Sequence, residues 1–404
     1  MLLLLLATGR ALATESADNP SAGGEQRPPL RPPPALTLPE LLGAWAGLTP
    51  SPASPDREPD RLHFVIFPFV VTNPLIGVGG GMASVGGVRL GPAGTTGWSS
   101  FATSLIATTN GQRSVGLLSD VRLPGGDWLL AGDWGWSRFP NPAWGLGGDT
   151  PDANRTVVDR RELRLHETIF RRLAGPLHLG AGYFLDSYYD IVDGRAAAGE
   201  PTAFSAYEVG TRGRSFSGGA SLALLLDTRD APVNPSRGLQ LLARARLSPS
   251  ELGGDTRWQS VYLDARWYLP VPGRPDTLAF WAFGWSAYGR TPYLLLPDIG
   301  GDAGHRSGRG WIEGRHVGRD LIYGEVEYRF RIWELLGGVV GANLHSASDR
   351  TELRDLPQFR TFWPAASAGV RLCLDRQTQS NLVLDVAVNR AGGIGVYLNA
   401  NEAF

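Results

Sequence analysis

LPDIGGDAGHRSGRGWIEGRHVGRDLIYGEVEYRFR, residues 296–331, joins a glycine- and arginine-rich loop to a strand in which apolar and charged residues alternate. Side chains along a strand point to opposite faces in turn. Ile322, Val326, Tyr328, Phe330 and Ile332 therefore share one face, while Glu325, Glu327, Arg329 and Arg331 share the other. The first face suits lipid or a core; the second is ionic. A soluble sandwich rarely puts such a run of charges on its non-core face beside an arginine-rich loop, whereas a membrane barrel must turn its polar face to the lumen. The stretch predicts a lumen-inserted loop and its receiving strand in an all-β, transmembrane antiparallel β-barrel.

Outward from this stretch, residues 62–404 read as short runs of alternating polarity separated by Gly, Pro, Asp and Asn. That is the pattern of strands and turns. About sixteen strands are expected, beginning near Leu62, Ile76, Gly97, Arg113, Asp127, Thr156, Leu177, Ser215, Gly238, Thr256, Asp276, Asp320, Gly337, Pro364, Ser380 and Gly392. Leu382, Leu384, Val386 and Val388 oppose Asp385 and Asn389. An even count is what single-chain bacterial barrels use, and it puts the loop around Arg309 between strands eleven and twelve.

The composition agrees. The 404 residues carry 53 Gly, 13 Trp, 11 Tyr and 15 Phe, a load that fits interfacial girdles and bent strands. After the first few residues, no window approaches the about 18 consecutive apolar residues of a spanning helix. A net charge of -1, without a basic cluster among aromatics, gives no footprint for nucleic acid. The lone Cys373 has no partner for an internal disulfide and reads as a packing residue. Met1–Ala13 ends its leucine run in Ala11-Leu12-Ala13, as in a signal peptide cut after Ala13, although no basic residues precede the run. Residues 14–61, with RPPLRPPP and LTPSPASPDREPD, predict an extended or disordered periplasmic tail, with a short helical piece at Leu36–Leu48.

Three motifs in order resemble the BamA/TamA-type outer-membrane protein superfamily, also called the bacterial surface antigen family. DTRDAPVNPSRG is similar to its periplasmic turn, with Asp227, Arg229, Pro232, Pro235 and Gly238 at matching places. SGRGWIEG followed by YGEVEYRF resembles its lumen loop and next strand, with Arg309-Gly310-Trp311 at the tip. AGVRLCLDRQTQSNLVLDVAVNR and GIGVYLNANEAF resemble its last strands and terminal recognition signal, with Tyr397, Leu398 and Phe404. The resemblance implies a bacterial outer-membrane location, lipid around the barrel, recognition of the last strand by the barrel-assembly machinery, and a part in insertion, translocation or surface export of a partner. Two departures stand out. Residues 14–61 are too short for a periplasmic POTRA module, and Asn343 stands where many relatives carry an acid.

A charge held away from water needs a counter-ion. For Arg309 the expected partners are Glu327 and Glu325, with Asn343 accepting a hydrogen bond, so that the tip latches to the inner wall. Pro68 cannot donate a ladder hydrogen bond, which points to an edge or seam where the first strand meets the last. His166, with Glu162 and Arg164, is expected to line the lumen. No catalytic, metal or cofactor constellation emerges. The six histidines lack HExxH spacing, Ser84 lacks a nucleophile-elbow glycine, and Gly77–Gly81 form no phosphate loop. The competing readings are a passive channel or structural barrel and, with only scattered His and Ser behind it, a lipid-modifying enzyme.

Overall fold

The computed structural model describes residues 62–404 apart from 74–76, 93, 334, 351–355, 376–379 and 403. The signal peptide and tail expected in 1–61 lie outside the described residues. Sixteen strands make one antiparallel sheet: β1 His63–Asn73, β2 Gly77–Val88, β3 Ser99–Thr108, β4 Arg113–Arg122, β5 Trp128–Arg138, β6 Thr156–Ala174, β7 Leu177–Asp193 and β8 Gly213–Asp227. Then follow β9 Gly238–Ser248, β10 Trp258–Pro270, β11 Thr277–Gly289, β12 Asp320–Arg331, β13 Leu336–Ser348, β14 Trp363–Asp375, β15 Ser380–Asn389 and β16 Ile394–Ala400. A three-residue strand, Asn141–Ala143, adds to the start of β6.

Each strand pairs with the next, and the pleat sorts residues as the sequence pattern requires. Leu222, Leu263 and Val396 are 64%, 54% and 54% exposed on the outer face, whereas Glu327 on the inner face is 0% exposed. Apolar outside and ionic inside is a barrel built for lipid. The barrel is nearly closed. Among the described residues no ladder joins β16 to β1, although β16 comes within 8 Å of both β1 and β2.

Antiparallel alternation sends the long connections 139–155, 194–212 and 290–319 to one end. There Phe204, Tyr293, Leu296 and Val317 pack against Tyr188 and Ile191 of β7. A second cluster lies on the inner face of β10–β13, where Tyr268, Trp281, Phe283, Leu321 and Tyr323 gather with Ile299 and Phe404. These aromatics fill space that water would otherwise occupy and give the 290–319 connection an apolar seat.

Candidate functional site: the arginine tip and its inner wall

The connection 290–319 joins β11 to β12 as two arms and a tip. Ile299 N–H donates to the His316 carbonyl at 3.2 Å, Gly314 N–H to the Ile299 carbonyl at 3.0 Å, and Gly318 N–H to the Pro297 carbonyl at 2.9 Å. Glycines on either side of Arg309 let the backbone come close. Gly308 has φ +72° and a Cβ there would lie 2.3 Å from Ile299 Cγ1; Gly310 has φ +98° and a Cβ would lie 3.0 Å from the Ala365 Cβ. Side chains rarely adopt either φ.

Arg309 is 4% exposed. One amino group donates to Asp385 Oδ2 at 2.6 Å, and the other donates to both Glu325 and Glu327. The network continues through Arg329, whose Nε donates to Glu327 at 2.8 Å, and through Arg371, which bridges Asp385 to Glu402. Tyr323 adds its hydroxyl proton to Glu325 at 2.5 Å. Three guanidinium groups and four carboxylates thus interleave in one buried network, and only that mutual pairing makes their burial tolerable.

The tip is also held by its backbone. Gly310 N–H donates to Tyr397 Oη at 2.7 Å on β16, and Asn389 Nδ2 on β15 donates to the Gly310 carbonyl at 2.7 Å. Asn343 does not accept from Arg309 as expected. Its Nδ2 donates to the Arg309 carbonyl at 3.0 Å instead. Trp311 packs edge-on to His316, His345 and Trp363 at centroid distances of 5.1, 5.6 and 5.4 Å.

Sequence reasoning named Arg309, Gly310, Trp311, Glu325, Glu327 and Asn343, and the structure brings them together. Asp385 and Asn389, on the face opposite the leucine and valine row of β15, are partners that the sequence does not single out. Phe404 folds back inside, 5% exposed, with its ring 5.3 Å from Trp281 and its carbonyl accepting from Arg329 at 2.8 Å. Leu398 pairs with Leu384 and is half-buried. Pro68 is exposed in β1 opposite Met82, in a strand that has a ladder partner on one side only among the described residues. Asp227, Arg229, Pro232, Pro235 and Gly238 form a separate site at the far rim. There Arg229 Nε donates to Asp227 at 2.9 Å and its Nη1 to the Pro232 carbonyl at 3.4 Å, Pro235 is buried, and Gly238 has φ +108°.

Between the loop and the wall from β5 to β11 lies a cavity of about 170 Å³. His166, Glu162 and Arg164 line it, His166 with its Nε2 2.8 Å from Asp186 and Arg164 2.8 Å from Glu162. Among the described residues no group of three or more His, Cys, Asp or Glu side chains is arranged to hold a metal ion.

No family model matches the sequence, and no curated protein does. Solved structures do. BamA from Haemophilus ducreyi lacking POTRA domains 1–3 superposes with a TM-score of 0.52 at 11% identity, over 85% of this chain and 70% of that one. CdiB from Escherichia coli gives 0.53 at 13%, over 84% of this chain, and CdiB from Acinetobacter baumannii gives 0.52 at 11%, also over 84%. The chain has the fold of the BamA and CdiB outer-membrane barrels. It spans 62% and 59% of the two CdiB chains, so it corresponds to part of their length.

Proposed function

We propose that this barrel serves insertion, translocation or surface export of a partner polypeptide, with the arginine tip as a latch on its last hairpin. The observation that carries the proposal is the convergence on Arg309 of Glu325 and Glu327 from β12 and Asp385 from β15. The hairpin β15–β16 ends in an edge that no ladder ties to β1 among the described residues. An unpaired edge is a template for another strand. The tip crosses the interior and fastens that hairpin to β12, so undocking the tip loosens the seam. The BamA and CdiB fold and the motif resemblance support the assembly role.

Replacing Arg309 by Ala tests the latch. Heat-modified gel mobility is expected to convert at a lower temperature, and single-channel conductance to rise or become unsteady; no change in either removes the latch. Cysteine pairs engineered along β1 and β16, in a Cys373→Ser background, test the role of the seam. Growth and export are expected to fall when the bridge forms, and indifference to it discards lateral opening. The cavity favours a second reading, a passive channel, which predicts steady conductance without any partner and no effect of the bridge.

A further inference from the structure

The cavity behind the loop contains a charge that the latch does not use. Four arginines line it, and three are committed. Arg164 pairs with Glu162 and Asp133; Arg246 binds Asp186 at 2.8 Å and Ser248 at 3.0 Å; Arg160 donates to the Phe139 carbonyl at 3.2 Å. Arg244 is different. Among the described residues its guanidinium has neither a hydrogen bond nor an ion pair, and it lies over the ring of Phe184, 5.0 Å from the guanidinium carbon.

The nearby acids are already taken. Asp264 accepts from Arg266, Tyr262 and Trp281 at 2.9, 2.9 and 2.8 Å, Asp133 faces Arg164, and Asp186 holds His166 and Arg246. Asp298, on the loop side, has its carboxyl pushed well up by burial and by the Glu313 carboxylate, so that a negative charge on it is disfavoured. The inner face of β8 beside these arginines is small: Ser217, Gly219, Ser221 and Ala223. A Cβ on Gly219 would come within 2.9 Å of Arg246 Nε, so Arg246 lies flat there.

A guanidinium offers up to five donors in a planar fork that fits carboxylate and phosphate oxygens. An aromatic face on one side keeps that fork in place without consuming a donor. We infer that this lumenal cavity is a binding site for a small oxyanion, a carboxylate or a phosphate, anchored by Arg244 against Phe184. The site is separate from the arginine latch, and the inference stands whichever function the barrel serves.

Calorimetric titration of the full chain in detergent, with inorganic phosphate and with benzoate at constant ionic strength and chloride as the control, reads the site directly. At least one probe is expected to give a saturable one-to-one isotherm. Saturation by phosphate alone identifies a phosphate site, by benzoate alone an organic carboxylate site, and by both a general oxyanion site. Arg244→Gln is expected to weaken binding at least tenfold, and Arg244→Lys, which keeps the charge but not the fork, severalfold. Both variants should keep the parent's heat-modified mobility. Absence of saturation with either probe, or equal affinity in correctly folded Arg244→Gln or Arg244→Lys protein, overturns the site.

Discussion

The walls on the two sides of the loop tip treat their arginines in opposite ways. At the β12–β15 wall, Arg309 of the tip and Arg329 and Arg371 of the strands are 4%, 8% and 5% exposed, and each meets at least one carboxylate. On β6–β10, the acids are spread among more partners around a cavity, and Arg244 has only an aromatic ring. The difference lies in where the carboxylates point. Glu325, Glu327 and Asp385 converge on one guanidinium, so that side is filled and fixed, while the other side keeps room and a free donor set. Changing the two arginines should therefore have unequal effects.

The largest effect is expected at Arg309. Removing one partner of a buried charge network leaves the others uncompensated and costs about 3–5 kcal/mol, so Arg309→Ala should lower the temperature of gel-mobility conversion sharply. Arg244→Gln removes no ion pair and should change stability by less than about 1 kcal/mol, the usual size of a cation–π contact. Equal losses at the two sites would break the comparison. Next comes Gly310→Ala, which puts an L side chain at φ +98° and 3.0 Å from Ala365. The backbone strain alone is about 1–2 kcal/mol, and the contact adds to it. The variant should expose the tip to protease while the strands stay intact; full protection of the tip would show that the wall yields instead.

Much of this contrast is legible in the sequence, and the rest is not, for one reason. Strand starts from Thr156 to Ser380 fall within two residues of expectation because period-2 alternation and turn residues are local signals. The inward row Glu325, Glu327 and Arg329 follows from the same alternation. Asp385 lies 76 positions from Arg309, and only the curvature of the sheet brings them together. That Asn343 meets the Arg309 carbonyl rather than its guanidinium depends on how the tip backbone lies, and the inward fold of Phe404 goes with a turn at Asn401, with φ +67°. None of these has a local signature.

The Trp311 pocket sharpens the comparison through pH. His316 is 0% exposed, its Nδ1 is 2.8 Å from His345 Nε2, and it stacks on Trp363 at 4.5 Å. Burial, with His345 and Arg315 beside it, pushes its imidazole down to about 2. In an undocked loop the same ring titrates near about 6.5. The undocked state then takes up a proton that the docked state refuses. The His316 contribution to docking is complete above about pH 6.5 and weakens by about 1.4 kcal/mol per pH unit below it, or about 2 kcal/mol at pH 5. Protease access to the tip should rise between pH 7 and 5, and His316→Gln should flatten that profile. A parent profile already flat over this range would mean that the docked ring accepts the proton.

The smallest effect expected is the one most specific to the seam. Tyr397→Phe removes only the hydroxyl that accepts from Gly310 N–H, leaving a buried donor unpaired at a cost of about 1 kcal/mol. Asn389 and Asp385 still hold the tip to β15, so the loop should stay docked. What changes is the tether to β16, the strand whose outer edge has no ladder among the described residues. If the tip governs the seam, cysteine pairs between β1 and β16 should cross-link at a different rate in Tyr397→Phe protein, with thermal stability almost unaltered. A matching change in both would reduce Tyr397 to packing; a change in cross-linking alone would separate the hold on the edge strand from the hold on the wall.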